Sequence, residues 1–137
     1  MKILVSILLV LHGLITSLQA SGNFSPKKEI RNPDWLGWWP VPLGRSWLLV
    51  RLGSDTSVVK IVLGLLWLIA GLMLLAAGSG LLNFIIPSHL WRIFAGIGAS
   101  LSLILLAIYL HPFFIIGIMA NFAILISLLW IGWPSFK

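Results

Sequence analysis

Polar side chains are scarce in the long apolar stretches of this chain, so each one invites a chemical reading. His12 lies in the middle of one stretch and Asn121 in the middle of another. An imidazole surrounded by lipid can ligate a haem or chlorin, or hydrogen-bond a quinone carbonyl. More simply, it can bond a neighbouring helix through Asn121 or a serine. Trp67 also falls inside a stretch, where an indole either packs between helices or stacks on a ligand. His12, Trp67 and Asn121 are therefore the candidate cofactor residues, with a quinone or a chlorin pigment as the class of cofactor. Hydroxyls at Ser6, Thr16, Ser17, Ser79, Ser100, Ser102 and Ser127 complete the intramembrane polar set. No Asp, Glu, Lys or Arg lies mid-stretch, so of the ionisable relay that a proton-coupled transporter usually needs only His12 could serve.

A second group of residues suits the membrane boundary. Trp35, Trp38, Trp39 and Trp47 crowd one polar segment with Arg45 and Arg51. Indoles favour the headgroup layer, and an arginine fork matches a phosphate bidentately. These six are read as lipid or partner contacts. His89 and Arg92 read as headgroup contacts, and His111, just before Pro112, as a helix cap. Asn23-Phe-Ser25 fits a glycosylation acceptor, although Pro26 follows it. There is no Walker loop, dinucleotide fingerprint, His/Glu metal motif or Ser-His-Asp set, and the absence of cysteine excludes thiolate chemistry and disulfides.

The elements that position these groups follow from composition. Of 137 residues, 60% are apolar and 9% charged. A soluble domain has about 25% charged residues, so this chain belongs in a bilayer, and its length allows one domain. A span needs about 20 apolar residues. Four are expected, over about 3–19, 58–82, 92–110 and 112–133. The last two share an uncharged stretch, 93–136, which would be about 66 Å long as one helix, about twice the membrane thickness. His111-Pro112 is where it folds back. The expected fold is all-α: an integral membrane bundle of four transmembrane helices. A Trp/Pro-rich interfacial loop, 20–57, joins the first two spans.

The first span resembles a signal peptide, with Lys2 as basic region, an apolar run and Ala20 at a cleavable position. Leu18 stands where a cleavage site wants a small residue, so the segment is read as retained. The polar segment from Ser21 to Lys60 carries six of the nine basic residues and all three acids, so half of the +6 net charge lies there. Set between apolar spans, these charges point to anionic lipid headgroups, not nucleic acid. The positive-inside count places the loop in the cytoplasm, whereas a Lys2-led signal anchor would place it outside. Trp91, Trp130 and Trp133 flank span ends. Ser54, Asp55 and Thr56 together suit the N-cap of the second span, with Asp55 favourable near the helix dipole, and 46–52 suits a short interfacial helix.

Small residues mark where helices approach closely in lipid. Gly64, Gly71 and Gly78 share one face of the second span. Ala95/Ala99, Gly96/Ser100 and Gly98/Ser102 are paired four apart in the third, as are Gly117 and Asn121 in the fourth, beside Ala120 and Ala123.

Leu11-His-Gly-Leu-Ile15, Pro42-Leu-Gly-Arg-Ser-Trp-Leu-Leu49, the Gly- and Leu-rich run from Leu63 to Leu82, and Leu110-His-Pro-Phe-Phe-Ile-Ile-Gly-Ile-Met-Ala-Asn-Phe-Ala-Ile-Leu125 together resemble small four-helix bacterial membrane proteins of the DoxX-like type. The resemblance spans most of the chain. It implies a bacterial cell-membrane location and association with membrane oxidoreductases and quinone chemistry. Such relatives often carry an acid where Asn121 stands, so an ionisable group is lost here. The expected function is a non-catalytic accessory or assembly subunit of a larger, bioenergetic membrane complex, with larger membrane-protein subunits as partners. The alternative is a DoxX-like redox component binding a quinone or pigment between its helices.

Overall fold

The computed structural model describes residues 1–24 and 31–131. Helix α1, Lys2–Leu18, is followed after one turn by a short α2, Ser21–Phe24. Then come α3, Trp47–Arg51; α4, Ser57–Leu81; α5, Trp91–Ile108; and α6, Ile115–Ile126. Single 3-10 turns, Asp34–Leu36, Ser88–Leu90 and Pro112–Phe114, lie in the loop and at the starts of α5 and α6, and a π turn, Ser127–Ile131, extends α6. Among the described residues there is no strand, and four helical segments are long and apolar enough to cross a membrane. The continuation of the first span through α2 to Phe24 goes beyond the sequence expectation.

Helix ends are closed by local chemistry. Thr56 caps α4 by accepting from Val59 N at 3.4 Å. Ser46 caps α3, accepting from Leu49 N at 3.1 Å. Helix α3 stops in a Schellman turn, Ser54 N to Leu49 O and Gly53 N to Val50 O, in which Gly53 has φ +64°. A left-handed residue at that position is readily supplied by glycine. Helix α4 ends the same way, with Asn83 as the left-handed residue at φ 55° and bonds to Ser79 O and Gly80 O. The asparagine is used twice, since its Oδ1 also accepts from Ser88 N.

Helix α4 is the axis of the bundle, packed on α1 and α2 along one side and α5 along the other. The glycine face read from the sequence makes the first contact. A Cβ on Gly71 would lie 2.7 Å from Gly13 O, and one on Gly78 would lie 2.9 Å from Ser6 O. Ser6 Oγ donates to Gly78 O at 2.6 Å across this contact. Backbones this close gain dispersion contact that bulkier side chains would forbid. Gly98 makes the equivalent approach to Ala70 O, and Ala95 and Ala99 are buried beside it. The Gly96/Ser100 pair marks no close approach among the described residues. A Cβ at Gly96 meets nothing within 4 Å, and Ser100 is exposed. With 3.6 residues per turn, neighbouring four-residue pairs point in different directions, and only the Ala95 and Gly98 strips face α4.

Candidate functional site

The loop between α2 and α4 is tied down by the turn that separates α5 from α6. The carbonyl of Ile108 would ordinarily bond the amide four residues on, but that residue is Pro112, which has none. Ser46 Oγ donates to it instead, at 2.7 Å, and Trp47 Nε1 donates to Ala107 O at 2.9 Å. The indole read as a lipid or partner contact therefore spends its N–H within the chain.

His111, 2% exposed, holds the other half of the loop. Its Nδ1 accepts from Phe113 N at 3.3 Å, so the proton sits on Nε2 and is donated to Asn32 Oδ1 at 3.2 Å. Asn32 Nδ2 then donates to Val41 O at 3.0 Å. Phe113 stacks on the imidazole and Trp39 meets it edge-on. Burial lowers the His111 pKa from its ordinary value, because the charged form loses its hydration. Trp39 is thus turned inward, with its Nε1 buried and unpaired among the described residues. Trp35 and Trp38 point outward, 66% and 70% exposed, as does Arg51 at the last turn of α3. His89 is exposed, and Arg92 lies over the ring of Trp91. Trp91 opens α5 but is buried, while Trp130 is exposed. Trp133, with Lys27, Lys28, Glu29 and Lys137, lies outside the described residues.

A cavity of about 690 Å³ opens under this loop, between α2, the start of α4 and Tyr109. Sequence reasoning did not assemble it. Lys60 Nζ lies 3.1 Å and Arg45 Nε 3.9 Å from Asp55 Oδ2, so one carboxylate serves both cations. Tyr109, the chain's only tyrosine, donates to Asn23 Oδ1. Burial and then the negative charge of Asp55 push its pKa up to about 12. Asn23, read as a glycosylation acceptor, uses its side chain here and donates to Gln19 O. A lone tyrosine two residues before the His-Pro break was the available signal.

The intramembrane residues separate into two groups. Trp67, 2% exposed, packs edge-on to Tyr109 in the α4–α5 core. It does not line the same space as His12. His12 and Asn121, by contrast, meet directly, 3.0 Å apart across α1 and α6. Asn121 is fully buried and also bonds Ser102 Oγ of α5 at 3.0 Å and Gly117 O at 2.9 Å. A backbone carbonyl only accepts, so the amide atom facing Gly117 is Nδ2. Oδ1 then faces His12, and Nε2 must be the protonated ring nitrogen that donates to it. The tautomer follows from the bonding pattern. His12 Nδ1 keeps a lone pair and has no partner among the described residues.

His12 stands on the wall of an apolar crevice of about 450 Å³ between α1 and α6. Leu8, Leu9 and Ile15 supply the α1 wall, Ala120, Ala123 and Ile124 the α6 wall, and Trp91 closes one side. Ala120 and Ala123, read from sequence as a packing strip, instead line open space. Among the described residues no charged side chain borders it, and Ser127 is its other polar residue. Among the described residues no cluster of three or more metal-ligating side chains occurs. No family model matches this chain, and no curated protein or solved structure matches it.

Proposed function

We propose that this chain is a non-catalytic accessory or assembly subunit of a larger membrane complex. The observation that carries the reading is the exposure of the fourth span. Only 6% of its most apolar window is buried within the chain, against 28%, 33% and 39% for the other three. In lipid, helices are fixed by packing and by polar bonds. Helix α6 has the polar bonds through Asn121 but little packing. Its outer face presents Ile116, Met119 and Phe122, and the π turn that extends it presents Leu129, all exposed. Beside the mouth of the bundle, Trp35 and Trp38 offer a second free surface at the level of the headgroups. A bioenergetic complex in a bacterial cell membrane is the assembly this reading favours, from the DoxX-like resemblance.

The test is purification from native membranes in a mild detergent, with a photo-crosslinking residue at Met119. Larger membrane subunits should co-purify in fixed proportion and crosslink through α6. A stable isolated monomer or homodimer with no crosslinked partner would overturn the reading.

The crevice favours a second reading, a redox or carrier component that binds a small apolar ligand between α1 and α6. In this reading His12 and Asn121 form the site and Trp67 is structural. It expects an extractable quinone, pigment or other lipid-soluble compound in the same fraction, diminished in His12→Ala. A spectroscopically and chemically clean preparation would remove it.

A further inference from the structure

We infer that the α1–α6 crevice binds a neutral, membrane-dissolved compound through a hydroxyl group that donates its hydrogen to His12 Nδ1. This deepens the second reading above and rests on it. The direction of the hydrogen bond comes from the network behind the imidazole. Gly117 O fixes the Asn121 amide, the amide fixes the proton on Nε2, and Nδ1, without a partner among the described residues, is left as an acceptor. A quinone or ester carbonyl brought to that nitrogen would set one lone pair against another. A hydroxyl brings the missing donor.

Depth and lining narrow the class further. His12 is the eleventh residue of α1, about 15 Å from its start at 1.5 Å per residue, and so near the middle of a core about 30 Å thick. A glycerophospholipid headgroup, anchored at the boundary, does not reach that depth. Among the described residues the walls carry no charge, so a charged ligand would find no counter-ion on them. The volume, about 450 Å³, lies in the range of small-molecule sites and admits a ring with a short chain or a folded alkyl tail. Ala120 and Ala123 keep the α6 wall low, which is what opens the space. Two sources share this chemistry, a phenolic hydroxyl on a lipophilic ring and the terminal hydroxyl of a long-chain alcohol.

The full chain, carrying nitrogen-15 histidine, would be placed in phosphatidylcholine nanodiscs. It would be titrated with a decyl-substituted hydroquinone, its dimethyl ether, its oxidised quinone and a long-chain primary alcohol. His12 is one of three histidines, and its resonances are identified by their loss in His12→Phe. At least one hydroxyl probe should bind and shift the Nδ1 resonance, with the ether and the quinone about tenfold weaker than the hydroquinone, the loss of one hydrogen bond to a partner left unsatisfied. Binding of the hydroquinone alone identifies the phenolic source, and binding of the alcohol alone the aliphatic one. Ala123→Leu, which fills the crevice without touching the His12–Asn121 bond, should abolish binding and leave the Nε2 resonance unchanged. Detectable binding of the ether and the quinone, as tight as that of the hydroquinone, would overturn the inference while leaving a ligand site in place. Persistence of binding in Ala123→Leu would place the site elsewhere and overturn it too. Failure of every probe would remove the second reading as well and leave the subunit reading standing.

Discussion

Truncating Asn121 to alanine should release α6 from the bundle before any other span. Three hydrogen bonds converge on this side chain, and two of them cross between helices, to His12 of α1 and Ser102 of α5. Interhelical bonds in lipid average about 0.6 kcal/mol, so the two together contribute about 1.2 kcal/mol. The substitution also empties a fully buried position and leaves the His12 N–H without an acceptor, which brings the expected loss to about 2 kcal/mol. A helix with so little packing of its own has nothing with which to absorb that loss. Equilibrium unfolding in mixed micelles, followed by tryptophan fluorescence, would be measured for wild type, Asn121→Ala, His12→Ala and the double variant. The cycle should return a coupling of about 0.6 kcal/mol and no more than about 1.7. Additivity within about 0.3 kcal/mol would refute the reasoning, because it would mean that His12 and Asn121 do not sense each other.

Replacing Ser46 by alanine should cost about 1–2 kcal/mol, since one hydroxyl both caps α3 and satisfies the carbonyl orphaned by Pro112; thermal unfolding in detergent would measure it, and a neutral result would mean that water serves Ile108 equally well. His111 has a depressed pKa in the folded chain, so it resists protonation that the unfolded chain accepts near pH 6.5. Loop docking should accordingly be intact above that pH and weaken as pH falls below it, seen as faster proteolysis around Asn32, and His111→Phe should flatten this dependence. Because Tyr109 is the only tyrosine, an ultraviolet titration of tyrosinate reads it directly: the midpoint should lie near 12 and fall in Asp55→Asn. Gly71→Leu should separate α1 from α4, since even a Cβ there would come within 2.7 Å of Ser17 N, whereas Gly96→Leu should be tolerated; reversal of that order in unfolding measurements would contradict the packing.

The number of spans, their helical character and the fold-back at His111-Pro112 are written in one dimension. Long uncharged runs leave no other way to satisfy backbone groups in a bilayer, and proline disfavours helix for the residue before it while suiting the first turn of the next. The glycine face of α4 was equally legible, because residues seven apart return to nearly the same side of a helix. Which small-residue strips of α5 and α6 would be buried was not, since that depends on the rotation of each helix against its neighbours. The same is true of chemistry. Composition could name His12 and Asn121 as rare polar groups in lipid, but residues 109 apart meet only through the order in which the helices pack. Trp67 looked equivalent from its position in a span, and packing sent it into the core with Tyr109. The pocket around Asp55 joins four separate parts of the chain, and no local pattern encodes such a meeting. The direction of the His12 hydrogen bond was beyond any sequence pattern, for it is imposed by a carbonyl on another helix. Local physics chooses the elements here, and only their relative rotation and contact decide what a side chain faces.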